Sequence, residues 1–109
     1  MNQAQKRLKL IHGLSNEIRL DVLEALKTGE KSVTDLLSIL EGCCTQSNLS
    51  QHLACLKECG LITSCQSGKF VYYSLSNEPL LHLLDVIDET ILSMEWSQAE
   101  DVECVSHVN

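Results

Sequence analysis

Two cysteines lie four residues apart in a segment whose apolar residues repeat at helical spacing. In the stretch LACLKECGLI, residues 53–62, they are Cys55 and Cys59. In a helix their Cβ atoms would be about 6 Å apart on one face. Two thiolates at that separation could bind one metal ion, and thiolate sulfur selects soft or borderline ions. The same residues could instead be small, half-buried packing residues, because cysteine is often buried.

A metal site needs more than these two ligands. Cys104, in the C-terminal segment DVECVSH, could reach the pair from its own subunit or from a partner subunit. His52, one turn before Cys55, is a weaker further candidate, and His107 could assist a metal from the same C-terminal segment. The sequence therefore predicts a site for a soft or borderline metal ion at Cys55, Cys59 and Cys104.

A second pair of cysteines, Cys43 and Cys44, directly precedes Thr45, the expected N-cap of the helix that carries the first pair. Adjacent cysteines can form only a strained disulfide, which is easily reduced and so suits a switch better than a permanent cross-link. A helix N-terminus also favours the reactive thiolate. A redox switch triggered by peroxide or a related oxidant is thus an alternative to metal sensing. The plainer interpretation is one buried and one exposed cysteine in a turn.

Length and composition indicate one small domain. The chain has 109 residues, of which 44% are hydrophobic, and this allows one modest core. Since no apolar run reaches signal-peptide or membrane-spanning length, we expect a cytoplasmic protein with no membrane partner. In a reducing compartment, six cysteines suit metal or redox chemistry better than a disulfide framework.

The formal net charge of −7 does not exclude DNA binding, because the acidic residues are unevenly distributed. Residues 1–76 carry all eight Lys and Arg against seven acids, whereas residues 77–109 carry eight acids and no Lys or Arg. A DNA-facing surface in the first part of the chain is compatible with this distribution. We expect one domain over residues 1–94, followed by an acidic, flexible tail over residues 95–109.

Apolar residues at helical spacing, separated by capping residues and glycines, predict four helices before residue 60. The first is a short helix built on Leu8, Ile11 and Leu14, and the second begins at Ser15 or Asn16. The third and fourth cover residues 32–40 and 46–59.

The pattern then changes to two strands and a last helix. LITSC and FVYYSL are rich in β-branched and aromatic residues and are joined by QSGK, which predicts a hairpin. Pro79 fits the first turn of a helix that is apolar on more than one side from Leu80 to Leu92, which suggests a subunit interface. The predicted fold is mainly α with a small β-hairpin, a winged helix-turn-helix that dimerises through its terminal helices.

In a helix-turn-helix the second helix enters the major groove of DNA. On the predicted fourth helix, Leu49, Leu53 and Leu56 face inward, and small or amide-bearing residues lie opposite. Glutamine can contact adenine through two hydrogen bonds, and serine can bond to a base or a phosphate. Lysines at the helix end and in the wing are candidate phosphate contacts, and Arg19 is a weaker one. The predicted DNA-binding residues are Gln46, Ser47, Ser50, Gln51, Lys57 and Lys69.

Four segments, LSNEIRLDVLEAL, SVTDLLSIL, QSNLSQHLACLKECGLI and SGKFVYYSL, resemble the ArsR/SmtB family of bacterial winged-helix repressors. The resemblance covers about residues 8–92. It implies a homodimer that binds operator DNA and leaves it when an inducer binds. Within the family, CLKECGL resembles the CmtR-type cadmium/lead sensors, which carry C-x-x-x-C on the recognition helix and a C-terminal cysteine. Cys104 matches that last position more loosely.

Two other metal sites of the family lack their ligands in this sequence. The third-helix site needs C-x-C just before Asp-Leu, and SVT stands there instead. The last-helix site needs paired Asp and His ligands, and the residues available do not have that spacing. These residues are His82, Asp85, Asp88 and Glu89. The resemblance therefore implies an inducer site elsewhere.

We expect a regulator and not an enzyme. A catalytic pair of Cys44 with His52 as base, as in a thiol peroxidase, would need a pocket and an orienting third group, and the sequence shows neither. A winged helix that binds only protein is a further alternative. The sequence thus predicts a homodimeric DNA-binding repressor released by a soft metal ion, with redox sensing at Cys43 and Cys44 as the alternative.

Overall fold

The computed structural model describes residues 1–96, which form five α-helices and a three-stranded antiparallel sheet. In chain order the elements are α1 (Gln3–Leu14), α2 (Glu17–Leu26), β1 (Lys31–Ser32), α3 (Val33–Ile39), α4 (Gln46–Glu58), β2 (Ile62–Ser67), β3 (Phe70–Leu75) and α5 (Glu78–Ser93). Helix α3, its turn and α4 are the helix-turn-helix, and β2 and β3 are the wing. The predicted winged helix-turn-helix architecture of the subunit is confirmed.

Polar residues start every helix of this part of the chain. In each case the cap's side-chain oxygen accepts a hydrogen bond from the backbone N–H three residues later, which satisfies one of the free N–H groups of the first turn. The caps are Asn2, Asn16, Ser32, Thr45 and Asn77. The prediction of helix starts at Ser32 and Thr45 is confirmed, as is Pro79 in the first turn of α5.

Two features differ from the sequence-based prediction. Helix α1 begins at Gln3, well before Leu8, because a capping box between Asn2 and Gln5 starts it. The first residues of α1 are mostly polar, so they contain no apolar repeat from which this early helix start could be predicted. The sheet has a third strand, β1, which pairs with β3 through Lys31↔Tyr73 and Ser32↔Tyr72. Two residues are too few to show strand periodicity.

The wing is a regular hairpin. Strands β2 and β3 pair from Ile62↔Leu75 to Ser67↔Phe70, so β2 runs two residues beyond the predicted LITSC segment. Gly68 makes the turn with a φ of +63°, a conformation that glycine adopts without a steric cost. Lys69 therefore lies at the wing tip.

The apolar core is formed mainly by leucines from α2, α3 and α4. Leu49, Leu53 and Leu56 of α4 are fully buried, together with Leu23 of α2 and Leu36 of α3. Burying these side chains removes the apolar face of α4 from water and fixes the helix on the domain. The opposite face of α4 is left exposed. Among the helices of residues 1–96, none is long and apolar enough to cross a membrane.

The two outer helices are attached in different ways. Gly13 near the end of α1 is buried against Leu61, and a Cβ at this position would collide with the Leu61 side chain. Helix α5 is joined to α2 by Lys27, whose ammonium pairs with Asp85 at 3.1 Å and with Asp88 at 3.8 Å. These two carboxylates therefore help to hold α5 against α2.

Candidate nucleic-acid interface and thiol cluster

The exposed side of α4 presents four of the predicted DNA-binding residues together. Gln46, Ser47, Ser50 and Gln51 are exposed, and with Ala54 they line one shallow, open groove. We call these four residues the reading face. They lie together because their spacing follows the helical period on the side opposite the buried leucines. The set offers two primary amides and two hydroxyl groups for hydrogen bonding.

The two lysines predicted to bind phosphate lie at the end of α4 and in the wing. The Lys57 ammonium donates a hydrogen bond to the Ser64 hydroxyl at 2.6 Å, which links α4 to β2. The Lys69 ammonium lies 5.9 Å from the centre of the Phe70 ring. Both lysines are exposed. Two positive charges therefore accompany the reading face, one beside the helix and one on the wing.

Arg19, the weaker candidate for a phosphate contact, has an internal position. Its side chain is buried, and its guanidinium donates to the carbonyls of Gly13 at 3.1 Å and His12 at 2.8 Å. A third nitrogen of the group lies 3.3 Å from Nδ1 of His52. The residue thus connects the end of α1 to α2 and α4, and the structure assigns its charge to this junction and not to a DNA phosphate.

The contact with Arg19 defines the state of His52. Burial lowers the pKa of His52, and the positive charge of Arg19 lowers it further. Since a guanidinium can only donate hydrogen bonds, this contact suits a neutral imidazole that accepts at Nδ1. His52, considered as a further metal ligand, therefore already accepts a hydrogen bond through that nitrogen.

Cys55 and Cys59 are both half-buried and lie on the side of α4 that faces α1. Cys59 is the C-cap of α4, and its backbone N–H donates to the Cys55 carbonyl at 2.9 Å. The Cys55 sulfur lies 3.7 Å from Nε2 of His12. An open groove between α1 and α4, here called the thiol groove, is lined by Leu8, Lys9, His12, Cys55, Glu58 and Cys59.

The environment of Cys59 favours the protonated thiol. Burial against the apolar core raises the pKa of Cys59, and the adjacent Cys55 thiol raises it further. The charges of Lys9 and Arg19 act in the opposite direction. A metal ion that binds Cys59 must therefore displace a proton, because the thiolate is the ligand.

The described residues do not contain a complete metal site. Between residues 1 and 96, no three His, Cys, Asp or Glu side chains meet closely enough to hold an ion. Cys104 and His107, the candidates from the C-terminal segment, lie outside the described residues. The structure adds His12, which the sequence did not indicate, because it is 43 residues from Cys55 and helical periodicity relates only near neighbours.

The second cysteine pair lies in the turn between α3 and α4. Cys43 is exposed, Cys44 is half-buried and packs against the core, and both are free thiols. The Cys43 backbone N–H donates to the Leu40 carbonyl at 2.9 Å, so the turn is anchored to the end of α3. This pair stands immediately before the Thr45 cap of α4. Cys65 is a further exposed free thiol, on β2.

Comparisons with known proteins agree with this architecture. Residues 16–64 match the family described as "Bacterial regulatory protein, arsR family". The transcriptional activator HlyU of Vibrio cholerae is 37% identical over 82 residues, which cover 75% of this chain and 74% of that protein. The solved structure of HlyU has a TM-score of 0.73 at 34% identity, covering 83% of this chain and 97% of that one.

Two further relatives are also transcriptional regulators. The arsenical resistance operon repressor of Escherichia coli is 36% identical over 83 residues, covering 75% of this chain and 69% of that protein. The HTH-type transcriptional regulator CmtR of Mycobacterium tuberculosis is 31% identical over 74 residues, covering 58% of this chain and 63% of that protein. The fold, the exposed face of α4 and these similarities agree: the chain belongs to the arsR family of DNA-binding bacterial transcriptional regulators.

Proposed function

We propose that the protein is a homodimeric repressor that leaves its operator when a soft metal ion binds to Cys55, Cys59 and Cys104. The observation that carries this proposal is the location of the thiol pair. Cys55 and Cys59 lie at the end of the same helix that presents the reading face. A ligand on these sulfurs therefore acts directly on the element that reads DNA.

The reading face is proposed to enter the major groove. Gln46 and Gln51 would contact base edges, since a glutamine amide can form two hydrogen bonds with adenine. Ser47 and Ser50 would bond to a base or a phosphate. Lys57 and Lys69 would neutralise phosphates, one beside the helix and one from the wing tip.

Apolar side chains left exposed on α1 and α5 support a dimer of two copies of this chain. Leu8 and Ile11 on α1 and Leu92 on α5 are 67%, 58% and 86% exposed. Apolar residues concentrated on two helices favour association with a partner surface. A twofold dimer would also place two reading faces on one operator, as in other helix-turn-helix proteins.

The donor set suits a soft ion. Two thiol sulfurs on adjacent turns supply ligands that select Cd, Pb or Zn over hard cations. The CLKECGL pattern resembles CmtR-type sensors, and the similarity to an arsenical resistance repressor supports an inducer of this soft class. The energetic requirement for release is that the ion binds the DNA-free protein more tightly than the DNA-bound protein.

Operator release in cysteine variants tests the metal proposal. The protein would be bound to DNA that it selects from a random pool and titrated separately with Cd(II), Pb(II) and Zn(II). We expect wild type and Cys65→Ser, the matched exposed-thiol control, to release DNA, while Cys55→Ser, Cys59→Ser and Cys104→Ser respond weakly. A normal response of Cys55→Ser to all three ions would contradict the metal proposal.

A redox switch at Cys43 and Cys44 is the second candidate, because two free thiols stand side by side immediately before α4. Peroxide would oxidise the two thiols to one disulfide and be reduced to two molecules of water. A disulfide between neighbouring residues would distort the turn that sets the start of the reading helix.

The redox candidate is tested by peroxide treatment of metal-free protein. Wild type is expected to lose DNA affinity together with two titratable thiols, and a thiol reductant should restore both. Cys43→Ser should resist, whereas Cys65→Ser should behave like wild type. Equal sensitivity of Cys43→Ser and wild type would exclude this pair as the switch.

A further inference from the structure

We propose that His12 of α1 is a ligand of the ion bound at Cys55 and Cys59, so that the ion joins α1 to the reading helix. This inference rests on the proposed metal function of the thiol pair. It adds a ligand that comes from a different helix and does not depend on the C-terminal segment.

The distance between His12 and Cys55 is the first support. The Nε2 and Sγ atoms are 3.7 Å apart. Bonds of about 2.1 Å to nitrogen and about 2.3 Å to sulfur at a tetrahedral angle separate two ligand atoms by about 3.6 Å. These two atoms therefore already stand at the separation of two ligands on one ion.

The thiol groove is the second support. In the single chain it is an open space between α1 and α4, lined by both cysteines and His12. Cys59 completes the set by rotating its side chain toward the other two, because the three groups do not yet converge on one point.

The third support is the way α1 is held. Its last carbonyls accept hydrogen bonds from Arg19, which also contacts His52 of α4, and Gly13 packs against Leu61 just beyond Cys59. Arg19 of α2 thus already links α1 to α4. An ion on His12 would add a second connection, on the side of the thiols.

The consequence is a specific route of regulation. Helix α1 exposes Leu8 and Ile11, which belong to the proposed dimer surface. An ion held by both α1 and α4 would couple the reading face to that surface. The metal-bound dimer would then hold its two reading helices in an arrangement different from that of the metal-free dimer.

Metal affinity measurements on the full chain test this inference. Cd(II) binding would be measured by competition with a chelator, and Co(II) would serve as a spectroscopic probe of the ligands. His12→Ala is expected to weaken Cd(II) binding at least about tenfold while keeping the thiolate-to-metal absorption of both cysteines. The Co(II) visible spectrum should shift, because one nitrogen ligand is lost.

The matched control is His82→Ala, which removes another exposed histidine, on α5, and is expected to bind like wild type. If His12→Ala matches wild type in both Cd(II) affinity and Co(II) spectrum, the inference is overturned and the proposed thiol site stands. If Cys55→Ser also keeps wild-type affinity, the proposed metal function fails as well.

Discussion

Single basic residues in this protein serve different purposes according to their burial. Arg19 is only 9% exposed and uses its guanidinium on two carbonyls and an imidazole, whereas Lys69 is exposed at the wing tip. A buried cation with satisfied hydrogen bonds stabilises the fold, and an exposed one is free to meet a phosphate. Burial thus separates the residues that maintain the site from those proposed to contact DNA.

Replacing Arg19 by Met is expected to lower the free energy of unfolding by about 2–4 kcal/mol, because two carbonyls lose charge-assisted hydrogen bonds. Urea denaturation measures the change. The control is Arg7→Met on the exposed face of α1, for which we expect a change below about 0.5 kcal/mol. Equal stability of the two variants would show that the Arg19 contacts contribute little.

His52 makes stability dependent on pH in a defined direction. Its folded-state pKa is lowered from the ordinary value, so as the pH falls through about 6.5 the unfolded chain binds more protons than the folded one. The contribution of His52 is therefore present above that pH and lost on acidification. Urea denaturation at pH 7.5 and 5.5 should show a smaller loss for His52→Gln, which can still accept from Arg19, than for wild type. His82→Gln, on the exposed side of α5, should lose as much as wild type.

The residues of the site differ in how far the sequence could predict them. The reading face could be placed from the helical period alone, because its members lie within six residues of one another. The contacts of His12 with Cys55 and of Arg19 with His52 span 43 and 33 residues. They depend on how α1 and α2 pack against α4, and no local pattern contains that information.

At the level of the elements, the sequence predicted a helix or strand correctly where the signal lay in that element's own residues, such as a capping side chain. The starts of α3 and α4 are specified by Ser32 and Thr45, whose side chains cap them. Strand β1 could not be predicted, since its two residues are extended only because they pair with β3. The register of a strand this short is a property of the sheet and not of its sequence.

Helix α4 separates stability from recognition on its two faces. Leu53→Ala, at a fully buried position, should lower the free energy of unfolding by about 2–5 kcal/mol. Gln51→Ala on the reading face should leave stability within about 0.5 kcal/mol and reduce discrimination between operator and mismatched DNA by about 1–3 kcal/mol. Urea denaturation and competition binding measure the two effects. A Gln51→Ala protein with unchanged discrimination would remove this residue from the proposed base contacts.

At the scale of the whole molecule, charge and apolar surface are divided between regions. All Lys and Arg lie in residues 1–76, which include the helix-turn-helix and the wing, while α5 contains acids but neither Lys nor Arg. Helix α5 would be repelled from DNA phosphates, yet it exposes Ile91 and Leu92. This division favours association of α5 with protein, and leaves DNA to α4 and the wing.

The proposed dimer can therefore be disrupted at α5 without touching the reading face. Leu92, 86% exposed on α5, makes little contact within its own chain, so Leu92→Glu should leave the fold of the subunit intact. Burying the new carboxylate in an apolar interface would be costly, and sedimentation should show a shift from dimer to monomer. Operator affinity should fall as the dimer dissociates, because a monomer presents only one reading face.

Ile39→Glu, which alters an apolar residue 53% exposed on α3, is the matched control and should remain dimeric. A Leu92→Glu protein that sediments as wild type would place the subunit contact elsewhere.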